Sequence, residues 1–263
     1  MGDCIYRPLV EGMTWSYSRL HSFEQCRYGW FLKYIHGSRR AERFYASYGS
    51  FVHRLLELYY RGFFTAAELK DAFVSGFSGS VQGARPGEKT VLKYIAAGIR
   101  YFRDFRPVPF RVLAVEQRID FSLDGLPMTA IIDLVGEENG ELIIVDNKSR
   151  DLKPRSLRKK ATENDRTLDE MLRQLYLYAA AVRSKYGKFP TALCFNCFKA
   201  GTFIREPFQQ EKYLEAVRWA KERAEEIAAE EDFPPSPEYF FCKNLCDVSH
   251  DCIYRDWVYG TPE

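Results

Sequence analysis

Nowhere in this chain do 18 apolar residues follow one another, so no membrane-spanning helix is expected. The N-terminus, "MGDCIYRPLVEGMTW", lacks the basic-then-apolar pattern of a secretory signal. Gly2 is followed by Tyr6 where a myristoylation signal carries Ser or Thr. The expectation is a soluble intracellular protein, in a bacterial cytoplasm or, for a phage protein, in that of the host. There is no internal repeat and no low-complexity linker. Neither sign of charge dominates: 38 Lys+Arg stand against 36 Asp+Glu, a net charge of +2. That balance demands no nucleic-acid partner and excludes none, because a local basic groove matters more than the total. The seven cysteines are an odd number, which in a reducing compartment argues against a disulfide framework.

What the chain has is length, apolar content and aromatics. Its 263 residues, 46% hydrophobic, suffice for a large core without staples. The 17 Tyr and 20 Phe suit a core and also suit stacking on bases.

Helices are predicted over 16–35, 49–63, 65–77 and 88–105, with Ser16 or Ser18 as a cap for the first. The pattern then turns to branched residues broken at Asp124-Gly125 and Asn139-Gly140, both hairpin signals. Strands are predicted near 110–118, 119–124, 126–136 and 141–148. A helix near 166–186, strands near 190–199 and 201–206, and a helix near 209–230 follow. This order predicts one α/β domain over 1–263. It has a helical subdomain at about 15–105, a core at about 106–232 and a cysteine-rich tail at about 233–258.

Two apolar runs, "TAIID" and "IIVDNKSR", each end in a carboxylate. Asp133 lies seven residues before Gly140 and Asp146 six after it, so antiparallel pairing sets them nearly opposite. Their charges would repel unless a cation lay between them, and oxygen ligands suit Mg²⁺ or Mn²⁺. Lys148 shares the strand face of Asp146. His53, one helical turn before Glu57, offers an imidazole. Gln174 and Tyr178 share a helix face at i, i+4. Taken singly, each is more often an ordinary surface or packing residue than a functional one.

Together, in this order, "WSYSRLHSFEQCRYGWFLKYI", "YGSFVH", "AIID", "VDNK" and "QLYLY" resemble the PD-(D/E)xK nuclease superfamily, in its RecB-like branch. That branch includes the RecB and AddB nuclease domains and the CRISPR-associated iron–sulfur exonucleases. The matches run from about residue 15 to 254, with Ala130 standing where relatives often have glycine. The resemblance implies a restriction-endonuclease-like fold: a mixed central sheet flanked by helices, with a helical N-terminal subdomain and a cysteine-rich tail packed on the first helix. It implies metal ligation by His53, Asp133, Asp146 and the Asn147 carbonyl. Lys148 would orient the metal-bound water or stabilise the charge developing at the scissile phosphate, and Gln174 and Tyr178 would contact DNA or position the site. Glu116 either supports the metal ligands or is a strand-face acid paired with a nearby arginine, and the latter is the favoured reading. Arg150, Lys153, Arg155, Arg158, Lys159 and Lys160 either line a phosphate path or form a solvated loop.

Cys242, Cys246 and Cys252 have metal-ligand spacing but are only three. The resemblance supplies Cys26 as the fourth and implies a [4Fe–4S] cluster, with Zn²⁺ as the alternative. Three residues separate the first two tail cysteines, where relatives usually have two. Cys194 and Cys197, on opposite faces of a predicted strand, read as core, and His250 is an unneeded ligand.

The expected activity is metal-dependent DNA hydrolysis at ends or single strands. The alternatives are a DNA-binding accessory subunit of a recombination, repair or phage complex, and a zinc-stabilised scaffold. No helicase segment is present, so a helicase, recombination or CRISPR partner would be a separate chain.

Overall fold

The computed structural model describes residues 5–259; Cys4 lies outside them. Its centre is a five-stranded mixed sheet in the order β1-β2-β3-β4-β5. β1 (Arg111–Leu123), β2 (Leu126–Glu138) and β3 (Glu141–Lys148) form an antiparallel meander. The two turns sit where they were predicted. Asp124, Gly125, Asn139 and Gly140 all adopt positive φ, which Asp, Asn and Gly tolerate and tight hairpins require. β4 (Ala192–Cys197) then lies parallel to β3, and β5 (Thr202–Pro207) antiparallel to β4.

A parallel neighbour needs a crossover, and α7 (Glu163–Tyr186) supplies it. Thr162 and Asp165 form a capping box at its start and Gly187, at φ 80°, ends it. α7 buries Leu168, Leu172, Leu175, Ala179 and Val182 between the sheet and α8 (Gln210–Ala229). The opposite face of the sheet, with Ile143, Val145, Ala192 and Cys194, is covered by Tyr60, Val108 and Phe110. Cys194 and Cys197 are both buried, in separate apolar clusters on the two faces, as strand alternation demands.

α4 (Phe44–Tyr60), α5 (Leu69–Ser80) and α6 (Glu88–Arg103) share a second core, into which Phe198 inserts from the end of β4. Two helices there meet closely. A Cβ at Gly98 of α6 would lie 2.1 Å from the fully buried Phe73 ring. Gly98→Ala is therefore expected to destabilise by about 1–3 kcal/mol through overpacking, read as a lowered urea midpoint at unchanged slope.

The predicted helix over 16–35 is not continuous. α2 (Tyr17–Gln25), capped by Ser16, stops at Cys26, whose backbone is extended (φ −165°, ψ 113°). Cys26 closes one helix with its N–H on Ser22 O and opens α3 (Arg27–Phe31) by accepting from Gly29 N on its Sγ. A π-helical turn (Leu32–His36) follows and ends at Gly37, φ 76°. The strands expected at 110–118 and 119–124 are one strand, irregular between Val112 and Ala114. Three short helices were not predicted: α1 (Arg7–Glu11), α9 (Tyr239–Asn244) and α10 (Arg255–Tyr259). Among the described residues no helix is long and apolar enough to cross a membrane.

Candidate active site and cysteine cavity

The register of the meander aligns three acids. β1 pairs Val115 with Leu134 and Gln117 with Ile132, so Glu116 falls opposite Asp133. β2 pairs Leu134 with Val145, so Asp146 is the next residue out, on the other side of Asp133. Glu116, Asp133 and Asp146 thus form a row across three strands. Asp133 and Asp146 are buried; Glu116 is partly so.

Glu116 overturns its sequence reading. Its partner is His53, with Nδ1 3.8 Å from Oε1, and among the described residues no arginine is ion-paired with it. Its φ of +47° is costly for a residue with a Cβ, and such strain concentrates at functional sites. A signal existed in the sequence: Glu116 and Asp133 are equidistant from the Asp124-Gly125 turn, as Asp133 and Asp146 are from Asn139-Gly140.

His53, on α4, reaches over this row. Its Nε2 donates to the Asn147 carbonyl at 2.8 Å, which leaves Nδ1 turned to the acids, 3.4 Å from Asp133 Oδ2. One ligand atom each from His53, Glu116 and Asp133 lie within 4.8 Å of one another. Burial opposes charge on His53, yet Glu116, Asp133 and Asp146 together raise its pKa. Asp133 is also raised, by burial first and then by Asp146. The acids thus favour a protonated imidazole, and burial disfavours charge on Asp133. The Asn147 carbonyl, expected as a ligand, is engaged by His53; its N–H donates to Asp133 Oδ2 at 2.6 Å.

Lys148 and Asp146 share a face, with Nζ 2.7 Å from Asp146 Oδ2. That contact is an ion pair off the hydrogen-bonding direction: Oδ2 is buried and no donor is aligned on it. Lys148 Nζ donates instead to Gln174 Oε1 at 2.7 Å, and Gln174 Nε2 donates to Tyr178 OH at 2.7 Å. The i, i+4 pair on α7 thus becomes a relay that fixes the ammonium. Burial, then Asp146, push the Tyr178 pKa up, so its hydroxyl keeps a proton to donate. A buried acid row and an unaligned carboxylate oxygen fit a hard divalent cation, which takes oxygen ligands readily.

Between β3 and α7 runs the basic loop. Arg155 is tied to Asp169 and Glu206, at 2.7 and 2.8 Å, and serves the fold. Ser156 is held by Asp165. Arg150, Lys153, Arg158, Lys159 and Lys160 are exposed, with no acidic partner among the described residues.

Away from the acid row in sequence, Cys26, Cys242, Cys246 and Cys252 line one apolar cavity with Leu32 and Phe241. Cys26 Sγ accepts from Gly29 N and Ser236 N, at 3.4 and 3.5 Å. Lys33–Asp247 (2.6 Å) and Arg43 Nε to Cys246 O (2.8 Å) pin the tail beside it. Burial pushes the Cys246 thiol up to about 11 and raises Cys252 too, which disfavours their thiolates in the absence of a bound cation. Among the described residues no three of these sulfurs lie within 4.8 Å of one another. His250 lies outside the cavity lining, beside Asp251.

The fold is similar to that of a protein from Eubacterium rectale described as a "Putative exonuclease": 15% identity, TM-score 0.53, 94% of each chain covered. Another solved structure, SSO0001, aligns over 95% of this chain and 97% of its own at 14% identity, with a TM-score of 0.31. No curated protein matches the chain. A family model described as "PD-(D/E)XK nuclease superfamily" matches residues 14–257, nearly the full length over which the acid row, the lysine and the five-stranded sheet are laid out, and the chain belongs to that superfamily.

Proposed function

We propose that this protein is a metal-dependent DNA nuclease of the RecB-like branch, acting at ends or on single strands. The observation that carries this is the row Glu116–Asp133–Asp146, roofed by His53 and flanked by Lys148. Asp133, Asp146, His53 and Glu116 would hold Mg²⁺ or Mn²⁺, with the second lone pair of the Asn147 carbonyl available. When bound, the metal polarises the scissile phosphate. Lys148, held by Gln174, places a fixed positive charge where the phosphate gains negative charge. Tyr178 retains its proton for a phosphate oxygen. The exposed cations of the 150–160 loop supply attraction for a phosphate backbone without reading sequence.

The four cysteines would hold a [4Fe–4S] cluster. Support comes from the cavity they share and from sulfur spacing wider than a tetrahedral zinc site needs, with Zn–S near 2.3 Å. A recombination, repair or phage DNA-processing role is part of the same proposal.

The test is digestion of end-labelled linear and covalently closed DNA with Mg²⁺ or Mn²⁺. Cleavage of linear substrate, abolished by EDTA, is expected. Binding without cleavage under either metal would leave an accessory subunit.

Two further results are expected at the metal site. Metal must displace protons from Asp133 and His53, both of which hold them above the usual pH. Apparent Mn²⁺ affinity should therefore rise with pH through neutrality into the mildly alkaline range, measured by calorimetric titration in two buffers of different ionisation enthalpy. Glu116→Gln should weaken Mn²⁺ binding by about 10- to 100-fold, the range for groups that hold or orient metal ligands. Unchanged affinity would return Glu116 to a merely structural role.

A further inference from the structure

A cavity of about 680 Å³ opens on the sheet face away from α7, between the end of α6, the 104–109 connection and the β4–β5 hairpin. That size suits a small ligand. Tyr60, Phe105, Phe198 and Phe203 give it flat walls. At its inner end Asn196 Nδ2 donates to Tyr101 OH at 2.7 Å and to Asn147 Oδ1 at 2.8 Å. Both amide protons are thereby used. Asn196 Oδ1 has no hydrogen-bond partner among the described residues and is not sealed from solvent. The Tyr101 oxygen accepts from Asn196, which leaves its own proton to donate; burial raises its pKa and keeps that proton in place. A donor and an acceptor thus stand side by side between aromatic rings, the arrangement by which a pocket reads the edge of an unstacked base. At the rim are Arg100 and Arg106, both exposed. Asp104 between them is ion-paired with Arg103 and also feels the charges of Arg100 and Arg106, so the rim carries an excess of positive charge.

We propose that this cavity is a nucleotide-binding site, with the base against Tyr101 and Asn196 and the phosphate at Arg100 and Arg106. It is distinct from the acid row but joined to it through one residue. Asn147 is held by Asn196 through its side chain, gives its N–H to Asp133 and accepts His53 on its carbonyl. A ligand that contacts Asn196 therefore acts on the groups around the metal site. Free mononucleotides and the terminal nucleotide of a strand carry the same chemistry.

The binding does not depend on cleavage, so it is tested in EDTA on the full chain. The four deoxynucleoside monophosphates, the matching nucleosides and inorganic phosphate are titrated calorimetrically. Saturable binding of at least one monophosphate is expected, tighter than its nucleoside and tighter than phosphate. Arg100→Gln with Arg106→Gln should weaken it at least tenfold. Tyr101→Phe, which keeps the ring, should alter the preference among bases while leaving the melting curve close to that of the parent. A 5′- or 3′-phosphorylated single strand that displaces the bound monophosphate identifies a strand end as the occupant; one that binds without displacing it identifies the free nucleotide. No saturable monophosphate binding, or binding unchanged in both variants, or phosphate binding as tightly as the nucleotides, overturns the proposal. DNA cleavage measured separately with Mn²⁺ keeps the two readings apart: cleavage without nucleotide binding rejects only the cavity, and the reverse rejects only the nuclease.

Discussion

Lys148→Ala is expected to lower the cleavage rate by about 10²- to 10³-fold, the loss typical when one preorganised charge is removed from a developing anion. The side chain is placed for this by three constraints. The buried Ile143–Val145 run fixes the strand, alternation puts Lys148 on the face of Asp146, and Gln174 takes one ammonium proton. Because Lys148 also neutralises Asp146, the metal-free variant keeps a buried carboxylate without its cation. Its melting temperature should fall in EDTA and recover in part with Mn²⁺. Lys148→Arg keeps the charge but not the geometry, since a planar guanidinium cannot take the place of a compact ammonium on Gln174. It should recover the stability but little of the rate. Asp146→Asn, assayed beside it, should be comparably inactive. Cleavage that survives both Lys148→Ala and Asp146→Asn sinks the site assignment.

The second large effect is at Cys26. The proposed cluster, shared by Cys26 and the tail, would close a loop of more than two hundred residues. Cross-links over such loops constrain the unfolded chain by about 5 kcal/mol. At roughly 2–4 °C per kcal/mol for a chain of this size class, Cys26→Ala should lower the melting temperature by on the order of 10 °C and lose the iron together. Cys194→Ala is the control. That thiol is buried in the sheet core and away from the tail, so its variant should keep the full iron content. Anaerobically purified protein with neither iron nor visible absorbance overturns the cluster, and stoichiometric zinc in its place identifies the alternative metal. The residual ties of the tail, Lys33–Asp247 and Arg43 to the Cys246 carbonyl, would remain in the Cys26 variant. They lie on the same surface, so the tail is expected to loosen rather than detach.

The order of elements, both hairpin turns and the pairing of Asp133 with Asp146 could be read from the sequence. Each follows from local rules: strand alternation, a positive-φ dipeptide and a count from the turn. The relay from Lys148 to Gln174 to Tyr178 could be named but not assembled. It depends on how α7 crosses the sheet, which burial of Leu172, Leu175 and Ala179 decides. Cys26 was identified, but its extended backbone was hidden inside a good helical pattern, because capping by a thiol leaves no trace in periodicity. Glu116 was misread for a related reason. Its place in the row follows from counting, but its side-chain partner follows from a left-handed backbone and from α4 folding over the sheet. The Arg155 ion pairs and the Tyr101–Asn196–Asn147 chain likewise join residues far apart in sequence. The hairpin turns and the mutual register of Asp133 and Asp146 are legible in the chain, since they are set by neighbours a few residues away, although β1 reads there as two strands. Which groups face those acids is settled by long-range packing, because the apolar faces of the helices permit more than one docking.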